Sequence, residues 1–292
     1  MAKRQSRKTA WRIPRLWPAS PLGQRLFVAA AALVIFGFVA VGGAWWRACA
    51  NQQCPSIAGL NSYDPYQASK VYAADGRLIT DFYRERRTVI TLDSMAPTLP
   101  AAFLAVEDKR FYQHDGGDWQ GVFAAGKDGL LGKPRGASTI TMQLAGNLFS
   151  EDIDRRQRSG LAGIARKVRE AKVAKLIESR YPKNRILELY LNQIALGNGA
   201  FGGESAAQRY FGKHASQLNA AESAMLAAIP KAPTRYNPRR NPGLAVERRN
   251  LVLDLMARAG VLTPDESETW KAYPLALSSQ SDPPHSASDS PS

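Results

Sequence analysis

Two acids stand side by side at Glu107 and Asp108, and His114 follows within "EDKRFYQH". A carboxylate with a second acid and a histidine close by can serve as a general base, because a neighbouring like charge raises its pKa. The same residues also suit a charged helix end running into a turn. In "RGASTITMQLAGNLF" (135–149), Gly, Ser and Thr lead into a helix start. Ser138 or Thr139 can cap that helix, and its free N–H groups can hold an anion. In "ARKVREAKVAKLIESRYPKNRILELYLN" (165–192), Arg166 and Glu170 are i and i+4 and share a helix face. A cation beside a carboxylate can bind phosphate while tuning the acid. "GNGAFGGESAAQRYFGK" (197–213) has glycines that allow close backbone approach. Each segment alone also fits a bland role: a capped helix, a solvated charged face, a tight turn.

The elements that must position these residues begin with an apolar run. "LFVAAAALVIFGFVAVGGAWW" (26–46) carries no charge. At about 1.5 Å per residue it can span a hydrocarbon core of roughly 30 Å. Lys3, Arg4, Arg7, Lys8, Arg12, Arg15 and Arg25 precede it, with no acid among them. The positive-inside rule then keeps the N-terminus cytoplasmic and carries the rest across the membrane. "ACA" at 48–50 resembles a signal-peptide cleavage site, but the run is long for that role, so an uncleaved single-pass anchor is expected. Lys and Arg number 39 against 25 Asp and Glu, a net charge of +14. That surplus suits an anionic partner. An extracytoplasmic domain excludes nucleic acid and leaves lipid head groups, phosphates or cell-wall material. Cys49 and Cys54 fit either a small disulfide loop or two unpaired thiols.

The predicted organisation is a basic cytoplasmic tail at 1–25, the anchor at 26–46, a juxtamembrane linker at 47–69, one mainly α-helical domain at 70–275 and a disordered tail at 276–292. "KVYAADGRLITDFYRERRTVITL" predicts a short β-hairpin turning at Asp75-Gly76. "NRILELYLNQIAL" puts Ile186, Leu189, Tyr190 and Ile194 on one helix face. "NAAESAMLAAI" is a helix stopped by Pro230, and "PGLAVERRNLVLDLMARAG" one that ends at Gly260. "QGVFAAGKDGLLGKPRG" mixes Phe123, Leu130 and Leu131 with Lys127, Lys133 and Arg135, a pattern suited to a membrane interface.

Taken in order, ED-x-x-F-x-x-H-x-G, G-A-S-T-I-T-x-Q, R-K-x-x-E and I-L-E-x-Y-L-N with G-N-G-A-F-G resemble glycosyltransferase family 51. The likeness runs through "AAIPKAPTRYNPRRNP" and "ERRNLVLDLM" and covers about 70–275. These are the peptidoglycan glycosyltransferases, stand-alone or fused in class A penicillin-binding proteins. The resemblance implies a lysozyme-like, two-lobed helical domain. It implies lipid II as acceptor and the growing glycan strand as donor. The acceptor hydroxyl attacks the donor's anomeric carbon, undecaprenyl pyrophosphate leaves, and the configuration inverts.

By the same match Glu107 is the general base and Glu170 the second catalytic carboxylate. Asp108, Phe111 and His114 support the base. Ser138, Thr139, Gln143, Asn147, Arg166 and Lys167 bind substrate. Glu170 would orient those cations or a divalent magnesium or manganese ion at the pyrophosphate; no organic cofactor is implied. Separate transpeptidases or division and elongation proteins are the implied partners. No serine is followed by Lys three residues on, so polymerisation without peptide cross-linking is expected.

Two positions depart from the family pattern. Met142 stands where Gln is usual, and Gly146 where a phosphate-contacting Lys is usual. Arg155, Arg156 or Arg158, in a longer stretch than usual, is expected to replace that charge. A lytic enzyme on a related fold would not need the Arg/Glu segment. A catalytically weak, membrane-anchored scaffold or lipid II-binding protein is the alternative that Met142 and Gly146 support.

Overall fold

The computed structural model describes residues 20–49, 54–62, 69–75, 78–82, 86–118, 120–121, 136, 138–150, 153 and 160–279. The chain divides into two units, Met1–Ala48 and Cys49–Ser292.

The first unit contains helix α1, Pro21–Arg47. Ser20 caps it by accepting from Gly23 N at 3.1 Å, and Pro21 occupies the first turn, where a missing N–H costs nothing. These signals start the helix ahead of Arg25, and it runs past the expected 26–46 at both ends. Its apolar window has a mean hydropathy of 2.5, and none of that window is buried. Leu26, Leu33, Phe36 and Val39 stand exposed, so the helix is long and apolar enough to cross a membrane.

In the second unit, strands β1 (Ser69–Tyr72) and β2 (Leu78–Phe82) pair antiparallel, with Val71 opposite Thr80. Strand β3 (Arg86–Arg87) pairs in parallel with β4 (Ala200–Phe201), a pairing the sequence does not announce. Helices α2 (Thr98–Glu107), α3 (Ile140–Leu148), α4 (Gly160–Glu178) and α5 (Lys183–Gln193) carry the first three motifs. Helices α6 (Gly203–Phe211), α7 (Ala220–Ala228), α8 (Pro242–Arg258) and α9 (Pro264–Lys271) follow.

Every residue of α7 is buried. Its alanines let α2 and α8 approach closely, and α9 packs on α8. A capping box between Asn219 and Glu222 starts α7, and Pro230 ends it in a tight turn at Ile229–Lys231. On the other side of the unit, α3 packs against α4 and α5. Ile186, Leu189 and Tyr190 turn the apolar face of α5 into the core. The Gly-rich segment meets α5 so closely that a side chain at Gly202, φ +80°, would sit 2.8 Å from the Asn192 carbonyl. Asn192 in turn donates to Ile90 O at 2.8 Å and accepts from Ile90 N at 3.0 Å, which fixes the chain ahead of α2.

Packing extends beyond the expected domain edges. Ile57 and Leu60, within the stretch read as a linker, are buried, and Tyr181 donates to Ile57 O at 2.9 Å. Cys49 and Cys54 are joined as a disulfide. Past residue 275, Ser278 N donates to Tyr210 O at 2.8 Å and Arg239 donates to Ser278 O at 3.1 Å.

Candidate active site

Glu107 closes α2, where the helix presents it half-buried beside α3. Gln143 Nε2 donates to Glu107 Oε2 at 2.7 Å, and Tyr190 on α5 donates to Gln143 Oε1 at 3.2 Å. Burial pushes the Glu107 carboxyl above its ordinary range, and the adjacent Asp108 adds to the rise. The Gln143 bond and the positive charges of Arg248 and Lys231 oppose it. Glu107 Oε1 has no hydrogen-bond partner among the described residues. The result is a poised carboxylate with one oxygen anchored and one open.

Asp108 lies beneath it and is buried. Its carboxylate accepts from His114 Nε2 at 3.0 Å and from Ile140 N at 3.0 Å. It therefore ties the end of α2 to the 111–116 turn and to the start of α3. Phe111 is buried with its ring edge-on to His114, and Lys183 Nζ sits 4.4 Å above the Phe111 ring. His114 Nδ1 lies 3.9 Å from Glu178, whose other oxygen pairs with Lys183 Nζ at 2.6 Å. At Gly116, φ +88°, a Cβ would meet Lys175 N on α4 at 2.8 Å, so only glycine lets the turn lie on that helix. The F-x-x-H-x-G spacing thus reads as the packing that seats Asp108.

A second carboxylate, Glu170, sits on α4 and is buried. One oxygen pairs with Arg166 and the other with Lys167 Nζ at 2.7 Å. Lys167 also donates to Ser138 Oγ at 2.7 Å. Residues 138–143 therefore join the two acids. Ser138 touches the cation side, Ile140 N holds Asp108, and Gln143 holds Glu107. Asn147 lies one turn beyond Gln143 on the same face of α3.

Thr139 is also in this stretch, but it is buried and its hydroxyl is committed. It donates to Gly116 O at 2.8 Å and accepts from Met142 N at 3.2 Å, so it caps α3. Met142 and Gly146 are buried. Arg155, Arg156 and Arg158 lie outside the described residues, as do Phe123, Lys127, Leu130, Leu131, Lys133 and Arg135. Among the described residues, no three His, Cys, Asp or Glu side chains gather to hold a metal ion. Both Glu170 oxygens already face cations, so these side chains do not fit a divalent ion held by protein alone.

Four residues at the site have no role in the sequence reading. Lys231 and Arg248 lie in segments that carry the family likeness, yet nothing in their spacing points to Glu107. Residues 248 and 249 fall about 100° apart on a helix. Accordingly Arg248 acts on Glu107, while buried Arg249 donates to the carbonyls of Lys271 and Tyr273. Tyr190 read as core, which it is, and nothing in the sequence singles out Glu178.

The family model described as "Transglycosylase" matches residues 75–257. Penicillin-binding protein 1A of Aquifex aeolicus (strain VF5) is 43% identical over 222 residues, covering 75% of this chain and 29% of that protein. Penicillin-binding protein 1A of Escherichia coli (strain K12) is 42% identical over 213 residues, covering 72% and 24%. The chain thus spans about a quarter to under a third of the length of these curated relatives. A crystal structure of penicillin-binding protein 1A from Haemophilus influenzae matches with a TM-score of 0.44 at 26% identity, covering 75% of this chain and 22% of that one.

Proposed function

The chain belongs to the transglycosylase family, and from that premise we propose that it polymerises lipid II into glycan strands at a membrane surface. The observation that carries the reading is the pair of unlike carboxylates joined through residues 138–143. Glu107 is half-buried with one open oxygen. Glu170 is clamped between Arg166 and Lys167.

In the proposed reaction the acceptor's sugar hydroxyl loses its proton to Glu107 Oε1 as its oxygen attacks the donor's anomeric carbon. The bond from that carbon to the pyrophosphate oxygen breaks, and the pyrophosphate keeps the electron pair. A general base contributes roughly a hundredfold to ten-thousandfold to such a step. Arg166 and Lys167 neutralise the charge that develops on the leaving group, and Glu170 keeps both cations aimed. Ser138, Gln143 and Asn147 line the same path. No step is assigned to a divalent ion. Attack from the face opposite the leaving group inverts the anomeric centre.

The reading further places α1 in the inner membrane with the N-terminus cytoplasmic, supported by the basic residues before it. The reading concerns glycan polymerisation, the step that Glu107, Arg166 and Lys167 support. Separate transpeptidases or division and elongation proteins are the partners it would work beside. Arg155, Arg156 and Arg158 remain the proposed substitutes for the lysine that Gly146 replaces. Alanine at each, assayed for polymerisation, tests them; three fully active variants dismiss the idea.

The deciding experiment incubates the purified full chain with labelled lipid II and separates the products on a gel. Long glycan ladders are expected. Unchanged lipid II with retained binding would favour the scaffold reading that Met142 and Gly146 raise, and shortened polymer would favour a lytic enzyme.

A further inference from the structure

We propose that Tyr190 is a positioning residue for polymerisation: its buried hydroxyl fixes the Gln143 amide so that the NH₂ group, and not the carbonyl, faces Glu107. This rests on the reading of Glu107 as general base. Tyr190 is fully buried, and its ring meets Phe103 edge-on at 6.0 Å, so the phenol has little freedom to swing. Its hydroxyl donates to Gln143 Oε1 at 3.2 Å, and Gln143 Nε2 donates to Glu107 Oε2 at 2.7 Å. Three helices, α5, α3 and α2, thus supply one donor-to-acceptor chain that ends on the base.

A glutamine amide is nearly symmetric in shape, and rotation by 180° exchanges its donor and acceptor ends. Packing alone cannot choose between them. A phenol oxygen, with a lone pair drawn into the ring, is a better donor than acceptor. It therefore favours the orientation with Oε1 toward Tyr190 and NH₂ toward Glu107. That orientation favours the ionised carboxylate, the form a base needs, and so opposes the effect of burial. The flipped amide would set Oε1 against Glu107 and favour the protonated, inactive acid.

Other charges act on Glu107 as well. Asp108 adjoins it at the end of α2, Lys231 follows α7, and Arg248 lies on α8. All of them remain in a Tyr190→Phe variant, which also keeps the ring in place against Phe103. The substitution removes the hydroxyl that donates to the amide.

The test measures initial polymerisation rates of the full chain on lipid II from about pH 5 to about pH 9. Tyr190→Phe should move the acid limb up by about one pH unit while the high-pH plateau stays within about twofold. Gln143→Leu should move the limb in the same direction. The double variant should show no more than the Gln143→Leu shift, because Tyr190 acts through that amide. An unmoved acid limb in Tyr190→Phe, an equal loss at every pH, or additive shifts would each overturn the proposal. If Tyr190→Phe does not fold, an unmoved limb in Gln143→Leu overturns it alone. Glu107→Gln separates the two levels. If that variant still polymerises, the base assignment fails. If it is inactive while Tyr190→Phe keeps the wild-type profile, only the role of Tyr190 fails.

Discussion

Glu107 and Glu170 are the same side chain placed in opposite surroundings. Glu107 is desolvated, receives one bond from a neutral amide, and feels Arg248 and Lys231 only at a distance. Glu170 is more deeply buried, but a cation sits on each of its oxygens. Burial with weak compensation makes a carboxylate ready to take a proton. Burial with a cation on each oxygen turns it into a strut for its partners. Two such acids on one short connecting segment can divide a transfer reaction: one removes the nucleophile's proton, and the other holds the charges that receive the leaving group.

That contrast breaks most sharply if the two acids are neutralised one at a time. Glu107→Gln should cut the polymerisation rate by roughly a hundredfold to ten-thousandfold, the range a general base contributes. Comparable loss from Glu170→Gln would erase the distinction. Beneath Glu107, Asp108→Ala strands the His114 Nε2 and Ile140 N donors in a buried site. It should lower stability by about 2–3 kcal/mol in a denaturant melt, through loss of the fold rather than of the chemistry. Glu170→Gln should cost about tenfold to a hundredfold in rate, as Arg166 and Lys167 lose their guide. Its acid limb should stay at the wild-type pH, because Glu107 sets that limb. A displaced limb would mean that Glu170 titrates in the reaction.

Glu107 and Glu170, the acids proposed for catalysis, were picked out by motif in the sequence, and much of the frame was legible there. Apolar spacing in "NRILELYLNQIAL" gives α5, and the Asn219 and Pro230 signals bound α7. What escaped was long-range. β3 is only two residues long, and its partner β4 is more than a hundred residues away, so no local pattern marks it. Ile57 and Leu60 sit in a polar stretch, and their burial depends on a surface made by distant helices. Thr139 shows the limit of motif matching at the site. A motif match gives its position, but its hydroxyl is already used within the protein. Arg248 and Arg249 are adjacent and identical in type, and only the helix turn between them assigns one to the site and one to the core.

The smallest effect concerns stability. The Glu107 carboxyl is raised in the folded state, first by burial and less by Asp108, so the folded chain holds its proton more tightly than the unfolded chain does. Below the unfolded carboxylate pKa of about 4.3, both states are protonated and Glu107 contributes nothing to the pH dependence. As pH rises through that value, the unfolded chain releases its proton first and gains relative to the fold. The cost grows until pH passes the raised folded value, then stays constant. Glu107→Gln removes it, so the variant should melt a few degrees above wild type near pH 7 and lose that advantage near pH 4. Measured melting curves at both pH values check the sign. An advantage that persists unchanged at pH 4 would mean the gain comes from packing and not from the desolvated charge, and Glu107 would then resemble Glu170 more closely than their surroundings indicate.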